Sequence, residues 1–187
     1  VTDADFVKIT VNSMQSKRWK DNMTKNIMIV GVGGQGSLLA TPLQICNVMA
    51  TLARGGIYID PYLIEGEVDK NGVMTPIKLY GERKQIISEK TAKQIGRFLE
   101  KVITDGSGTR AKSDFVTAAG KTATAQTGKF IGEDEVYNAW FAGYFPAENP
   151  QYAVVIMKEN GGEGALSCAP VFKEIAENMA KTPKTTD

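Results

Sequence analysis

An α+β fold, an antiparallel sheet flanked by helices, is predicted for this 187-residue chain by three observations. Three segments in the second half, residues 115–126, 139–145 and 153–159, have strand composition, and the Gly-, Pro-, Asn- and charge-rich stretches joining them are too short for crossover helices. They should pair antiparallel as a meander. Two segments, beginning at Thr41 and Ser88, combine a capping residue with helically spaced apolar residues. Finally, 42% hydrophobic against 23% charged content suffices, at this length, for one globular domain with a core.

In order along the chain, residues 5–12 alternate apolar and polar around Phe6, Val7, Ile9 and Val11, which reads as a short strand followed by a polar loop over 13–26. The apolar run 27–30 ends in Gly31-Val32-Gly33-Gly34-Gln35-Gly36. Thr41-Pro42-Leu43-Gln44 is a helix start: Thr caps, Pro suits the first helical position, and Gln three residues after the cap completes a capping box. Leu43, Val48, Met49 and Leu52 recur at helical spacing and Gly55-Gly56 supplies the stop, so a helix is expected over 41–54. Residues 58–74 read as extended, with Asn71-Gly72 as a tight turn between Val68 and Val73. Ser88 caps a second helix striped by Ala92, Ile95, Phe98, Leu99, Val102 and Ile103 and closed by Asp105-Gly106-Ser107-Gly108. After the three strands, Val171, Phe172, Ile175, Ala176 and Met179 mark a last helix, and residues 181–187 form a polar tail. Helices then pack on the sheet.

Composition excludes several classes of function. Twenty-two basic against twenty-one acidic residues leave no field to attract nucleic acid or an anionic membrane. No apolar run approaches the roughly 20 residues that span a bilayer, and the first 21 residues lack a signal-peptide pattern; the chain reads as soluble. An opening at Val1 without Met is what a processed or truncated product would show. Cys46 and Cys168 form no Cys-x-x-Cys pair and read as small core or surface residues, so neither a metal nor a redox cofactor is expected. The absence of histidine removes Ser-His-Asp and Cys-His arrangements and His-ligated metals.

Two motifs compete for the chemistry. Gly31-x-Gly33-x-x-Gly36 after an apolar run fits a dinucleotide-binding fingerprint, with Asp60 as the ribose-binding acid. That fold starts its helix inside the glycines, which would put Pro42 in the second turn at a cost of about 3 kcal/mol. The later capping box speaks against it. The second motif, Gly120-Lys121-Thr122-Ala123-Thr124-Ala125-Gln126-Thr127-Gly128, sits on a strand. On an edge strand, one fixed cation, alternate hydroxyls and free backbone groups suit an extended peptide ending in a carboxylate. Taken without context, it reads equally well as a Thr/Ala-rich strand with one solvated lysine.

Context comes from several segments in order. Gly34-Gln35-Gly36-Ser37-Leu38-Leu39-Ala40-Thr41-Pro42-Leu43-Gln44, with its helix to Gly55-Gly56, resembles the Gly-Gln-Gly…Thr-Pro-Leu-Gln segment of class B penicillin-binding proteins. Residues 120–126 resemble their Lys-Thr-Gly-Thr strand, and Ala139-Trp140-Phe141-Ala142-Gly143-Tyr144-Phe145-Pro146 the Trp-Phe-x-Gly-Tyr strand that follows. Glu159-Asn160-Gly161-Gly162 and Ala169-Pro170-Val171-Phe172 resemble the strand exit and final helix. The likeness covers residues 34–180, the C-terminal part of the transpeptidase domain, and leaves 1–33 unplaced.

The resemblance implies a partial serine β-lactamase-like fold and a parent enzyme that cross-links peptidoglycan by serine acyl transfer and binds β-lactams. Its partners would be peptidoglycan stem peptides ending in D-Ala-D-Ala, at the outer face of the cytoplasmic membrane, with no cofactor. Carried over by position, Lys121 supplies charge near the serine and the substrate carboxylate, Thr122 and Thr124 bind that carboxylate, and the Thr124 N–H joins the oxyanion hole. The family glycine is Ala123 here, whose methyl shares the Lys121 face and narrows the cleft. Such enzymes also need Ser-x-x-Lys and Ser-x-Asn. No serine of this chain has Lys three positions on or Asn two positions on. Alone, the chain is therefore expected to be inactive. The apolar run Tyr152-Ala153-Val154-Val155-Ile156-Met157 is expected to leave a bare sheet edge open to homodimer formation. Alternatives are a nucleotide-binding domain or a non-catalytic peptidoglycan-binding module.

Overall fold

The computed structural model describes residues 28–31, 37–62, 66–76 and 83–181. Its centre is a three-stranded antiparallel meander, β7 (Ala119–Ile131), β8 (Asp134–Phe145) and β9 (Tyr152–Lys158), in the order β7-β8-β9. Ahead of it come β1 (Met28–Gly31), β2 (Ser37–Ala40), α1 (Pro42–Ala53), the short strands β3 (Ile57–Tyr58), β4 (Gly66–Val68), β5 (Met74–Pro76) and β6 (Lys84–Gln85), and α2 (Glu89–Thr104). A 3-10 turn at Thr109–Ala111 leads into the meander, and α3 (Gly164–Ser167) and α4 (Ala169–Lys181) follow it.

The sheet is covered on both faces. On one face Phe141, Phe145 and Val154 meet Ile103, Ala111, Cys168 and Phe172 from α2, the 3-10 turn and the two last helices. The Phe141 and Phe172 rings lie 4.6 Å apart, centroid to centroid. On the other face Ala142, Tyr144, Ala119 and Ala153 meet Cys46, Met49 and Ala50 of α1. Strand alternation explains the division, since successive side chains of β8 point to opposite faces. Gly96 lets α2 approach, because a Cβ there would stand 2.7 Å from the Tyr144 hydroxyl.

The expected helices form, with local causes visible. The Thr41 hydroxyl accepts from the Gln44 N–H at 3.2 Å, and the Gln44 side chain accepts from the Thr41 N–H at 2.8 Å. Ser88 caps α2 by accepting from the Thr91 N–H. Val48, Phe98 and Val171, expected on the buried stripes, are instead exposed. In α1 the inward stripe runs through Cys46, Met49 and Ala50, and Val48 lies off it. In α2 the buried positions are Ala92, Gly96 and Ile103, which turns Phe98 outward.

Three other expectations are corrected. Residues 115–118 are not strand: the ladder ends at the Ala119–Tyr144 pair, and Thr117 instead receives the Ala147 N–H on its carbonyl and hydroxyl. Pro146, next after Phe145, has no N–H with which to extend pairing. At their other ends β7 and β8 run past Gln126 and Ala139 to a two-residue turn at Gly132-Glu133, with an irregularity between Gln126 and Phe130. Gly132 takes φ +67°, which suits the first central position of such a turn. The Asn71-Gly72 turn is wider than expected, since Val68 pairs with Met74 and Asp69 accepts the N–H groups of Asn71 and Val73. The proposed strand at 5–12 and the tail beyond Lys181 lie outside the described residues.

β1 and β2 answer the question of the glycine motif. They pair antiparallel with Gly31 opposite Ser37, so the glycines sit in or beside a hairpin loop, and the next helix starts only at Pro42. A dinucleotide site needs a strand feeding directly into a helix N-terminus and then a parallel strand. The nucleotide-binding alternative is not favoured.

Candidate substrate strand

β7 is an edge strand, paired only with β8 among the described residues. Gly120 is required where it stands, since a Cβ there would lie 2.7 Å from a ring carbon of Phe141 and 2.9 Å from the Ala142 carbonyl oxygen. Lys121 and Ala123 oppose Ala142 and Trp140, and so share the α1 face, whereas Thr122 and Thr124 share the α4 face.

Lys121 is exposed and folds along the open edge, where its Nζ donates to the Thr122 carbonyl at 2.8 Å and to the Thr122 Oγ1 at 3.4 Å. The Thr122 carbonyl therefore points away from β8. By the two-residue period of the ladder, the Thr124 N–H and C=O point the same way. Thr122 is buried, and its hydroxyl lies 3.0 Å from that of Ser107, in the loop that ends α2. Thr124 is exposed, and its hydroxyl accepts from the Gly164 N–H at 3.4 Å. Ala123 is half-buried against Ala125 and Trp140.

The structure thus brings Lys121, Thr122 and Ser107 together, places Thr124 beside Gly164, and turns Ala123 onto the indole. Ser107 and Gly164 were not singled out as site residues by the sequence. Ser107 reads there as part of a helix stop, and its partner lies 15 residues away. Gly164 is 40 residues from Thr124, with no local pattern linking them.

The two thiols take no part. Both cysteines are buried and unpaired. Burial pushes Cys46 up to about 11 and raises Cys168 as well, so both are protonated near neutral pH. Among the described residues, no cluster of His, Cys, Asp and Glu could hold a metal ion, and no helix is long and apolar enough to cross a membrane.

An antiparallel sheet between helical layers, with a Lys-Thr-x-Thr edge strand open on one side, is the pattern of an acyl-transfer domain that binds extended peptides. Residues 5–177 match the family of the penicillin-binding protein transpeptidase domain, and the chain belongs to that family. It is similar to the peptidoglycan D,D-transpeptidase MrdA of Haemophilus influenzae, 28% identical over 94% of this chain and 30% of that protein. Stage V sporulation protein D of Bacillus subtilis is 33% identical over 68% of the chain and 20% of its own length. Among solved structures, penicillin-binding protein 3 of Mycobacterium tuberculosis superposes with a TM-score of 0.67 at 31% identity, covering 78% of this chain and 36% of that one. The same protein has been solved with aztreonam and with ampicillin. The likeness to class B penicillin-binding proteins read from the sequence is borne out, as is the α+β fold. The chain spans less than a third of the length of these two curated relatives.

Proposed function

We propose that this chain is the C-terminal part of a D,D-transpeptidase that cross-links peptidoglycan and is acylated by β-lactams. The observation that carries the reading is the Lys121 ammonium lying along the open edge of β7, beside outward backbone groups of Thr122 and Thr124. The relatives named as D,D-transpeptidases and the β-lactam complexes of penicillin-binding protein 3 support it.

In this reading the nucleophilic serine and its lysine base come from a part of the protein outside this chain, whose own serines lack both partner spacings. The serine oxygen attacks the carbonyl of the penultimate D-Ala. The amide C–N bond breaks, terminal D-Ala leaves with a proton, and an acceptor amine then takes the acyl group and frees the serine. A stem peptide lies antiparallel along β7, its carboxylate held by Lys121 and neighbouring hydroxyls, while the Thr124 N–H donates to the carbonyl oxygen as negative charge develops there. The Ala123 methyl adds bulk beside Lys121 where the family has glycine. Work on peptidoglycan places the whole protein at the cell envelope, facing outward from the cytoplasmic membrane. In the isolated chain, the open edge of β9 joins two copies.

Replacing Lys121 tests the reading. In the full-length transpeptidase, Lys121→Ala should lower the rate of acylation by a fluorescent penicillin at least tenfold, because a charge-assisted hydrogen bond to a carboxylate contributes about 1.5–3 kcal/mol. A rate within twofold of the unmodified enzyme would mean that the substrate strand has been misassigned.

A further inference from the structure

The buried Thr122 hydroxyl has two neighbours among the described residues: the Lys121 ammonium at 3.4 Å and the Ser107 hydroxyl at 3.0 Å. An ammonium can only donate, so Thr122 Oγ1 accepts from Lys121. The single Thr122 proton then has one partner available, Ser107 Oγ, and leaving it unmade at a buried site would cost the full desolvation penalty of the group. The chain of donation therefore runs Lys121 Nζ to Thr122 Oγ1 to Ser107 Oγ. Ser107 keeps its own proton, is exposed, and has no other hydrogen-bond partner among the described residues. A positive charge at the head of such a chain polarises each O–H in turn and strengthens the last donor.

We propose that Ser107 is a carboxylate-binding residue of this transpeptidase: with Lys121 it grips the terminal carboxylate of the substrate or β-lactam, and buried Thr122 orients it. The assignment rests on the proposed function of β7 and departs from the expectation that the Thr122 hydroxyl meets the ligand directly. Thr122 is only 7% exposed and already spends its proton, whereas Ser107 stands at the surface with a proton to give. The ligand it recognises is a planar monoanion at the end of an extended peptide. A neutral ester at that position leaves its O–H without a charged acceptor.

The full-length transpeptidase carrying Ser107→Ala should be acylated by a penicillin about tenfold more slowly at subsaturating concentration, the loss of one hydrogen bond to a charged group. The loss should appear in the binding step rather than in the saturated acylation rate. Ser107→Thr, which keeps the hydroxyl, should restore most of it. With the methyl ester of the same penicillin, Ser107→Ala and the unmodified enzyme should differ by less than twofold. Equal losses with acid and ester would mean that Ser107 only supports the loop, and would overturn the proposal. So would Ser107→Ala acylated within twofold of normal by the acid while Lys121→Ala is impaired. Silence of Lys121→Ala itself would instead overturn the reading of β7.

Discussion

At the scale of single residues, the closest approach at the candidate site is made by Gly164. A Cβ at this position would fall inside contact distance of the carbonyl oxygens of both Trp140 and Ala123. Those oxygens belong to paired strands and cannot retreat without breaking the ladder that holds β7. Its N–H also reaches the Thr124 hydroxyl. Gly164→Ala should therefore destabilise the chain by about 1–3 kcal/mol, as overpacking does. It should also loosen Thr124. A urea denaturation midpoint unchanged by the substitution would show that α3 can shift away freely. The glycine is plain in the sequence, but the need for it is not, since the crowding atoms lie 24 and 41 residues away along the chain.

At the scale of elements, the features set by neighbouring residues are the ones the sequence displays. The capping box at Thr41 needs only four consecutive residues, and both of its hydrogen bonds form. Thr41→Ala should cost about 1 kcal/mol of stability by leaving an N–H at the start of α1 without its acceptor, while Thr41→Ser should cost much less; both are measurable as shifts of the urea midpoint. Equal stability of Thr41→Ala and the unmodified chain would mean that packing of Cys46, Met49 and Ala50 alone holds the helix. Strand ends behave differently. Whether β7 begins at 115 or 119 depends on where β8 has groups left to pair, and the meander ends where Pro146 follows Phe145. The outward turn of Phe98 likewise reflects which side of α2 faces the sheet, a matter of docking rather than periodicity.

At the scale of the whole molecule, the sheet is open at both sides. β7 offers one edge to a ligand, and β9 has no strand beyond it among the described residues. Along β9, Val154 is buried and Val155, Ile156 and Met157 are half-buried, so apolar side chains line the edge on both faces. Unpaired backbone groups beside apolar surface favour pairing with another chain. A formal net charge of +1 adds little repulsion against it. The isolated chain should run as a dimer in size-exclusion chromatography with light scattering at micromolar concentration. A monomer of 20.3 kDa with amide protection across β9 would show that the chain covers this edge itself.

By itself the sequence determined the helix starts, the antiparallel order of the last three strands and, through segments matching in order, the family. These rest on local chemistry: caps, turn residues and the alternation or helical recurrence of apolar side chains. Tertiary structure alone decided which hydroxyls of the substrate strand are free. Thr122 and Thr124 look alike in the sequence and sit on one face of β7, yet one is buried under the loop after α2 and the other is exposed beside α3. That difference comes from elements 15 and 40 residues away in the chain, brought to β7 by the packing of Ile103 and Phe172 into one core. No local pattern records it, because burial is a property of what covers a residue.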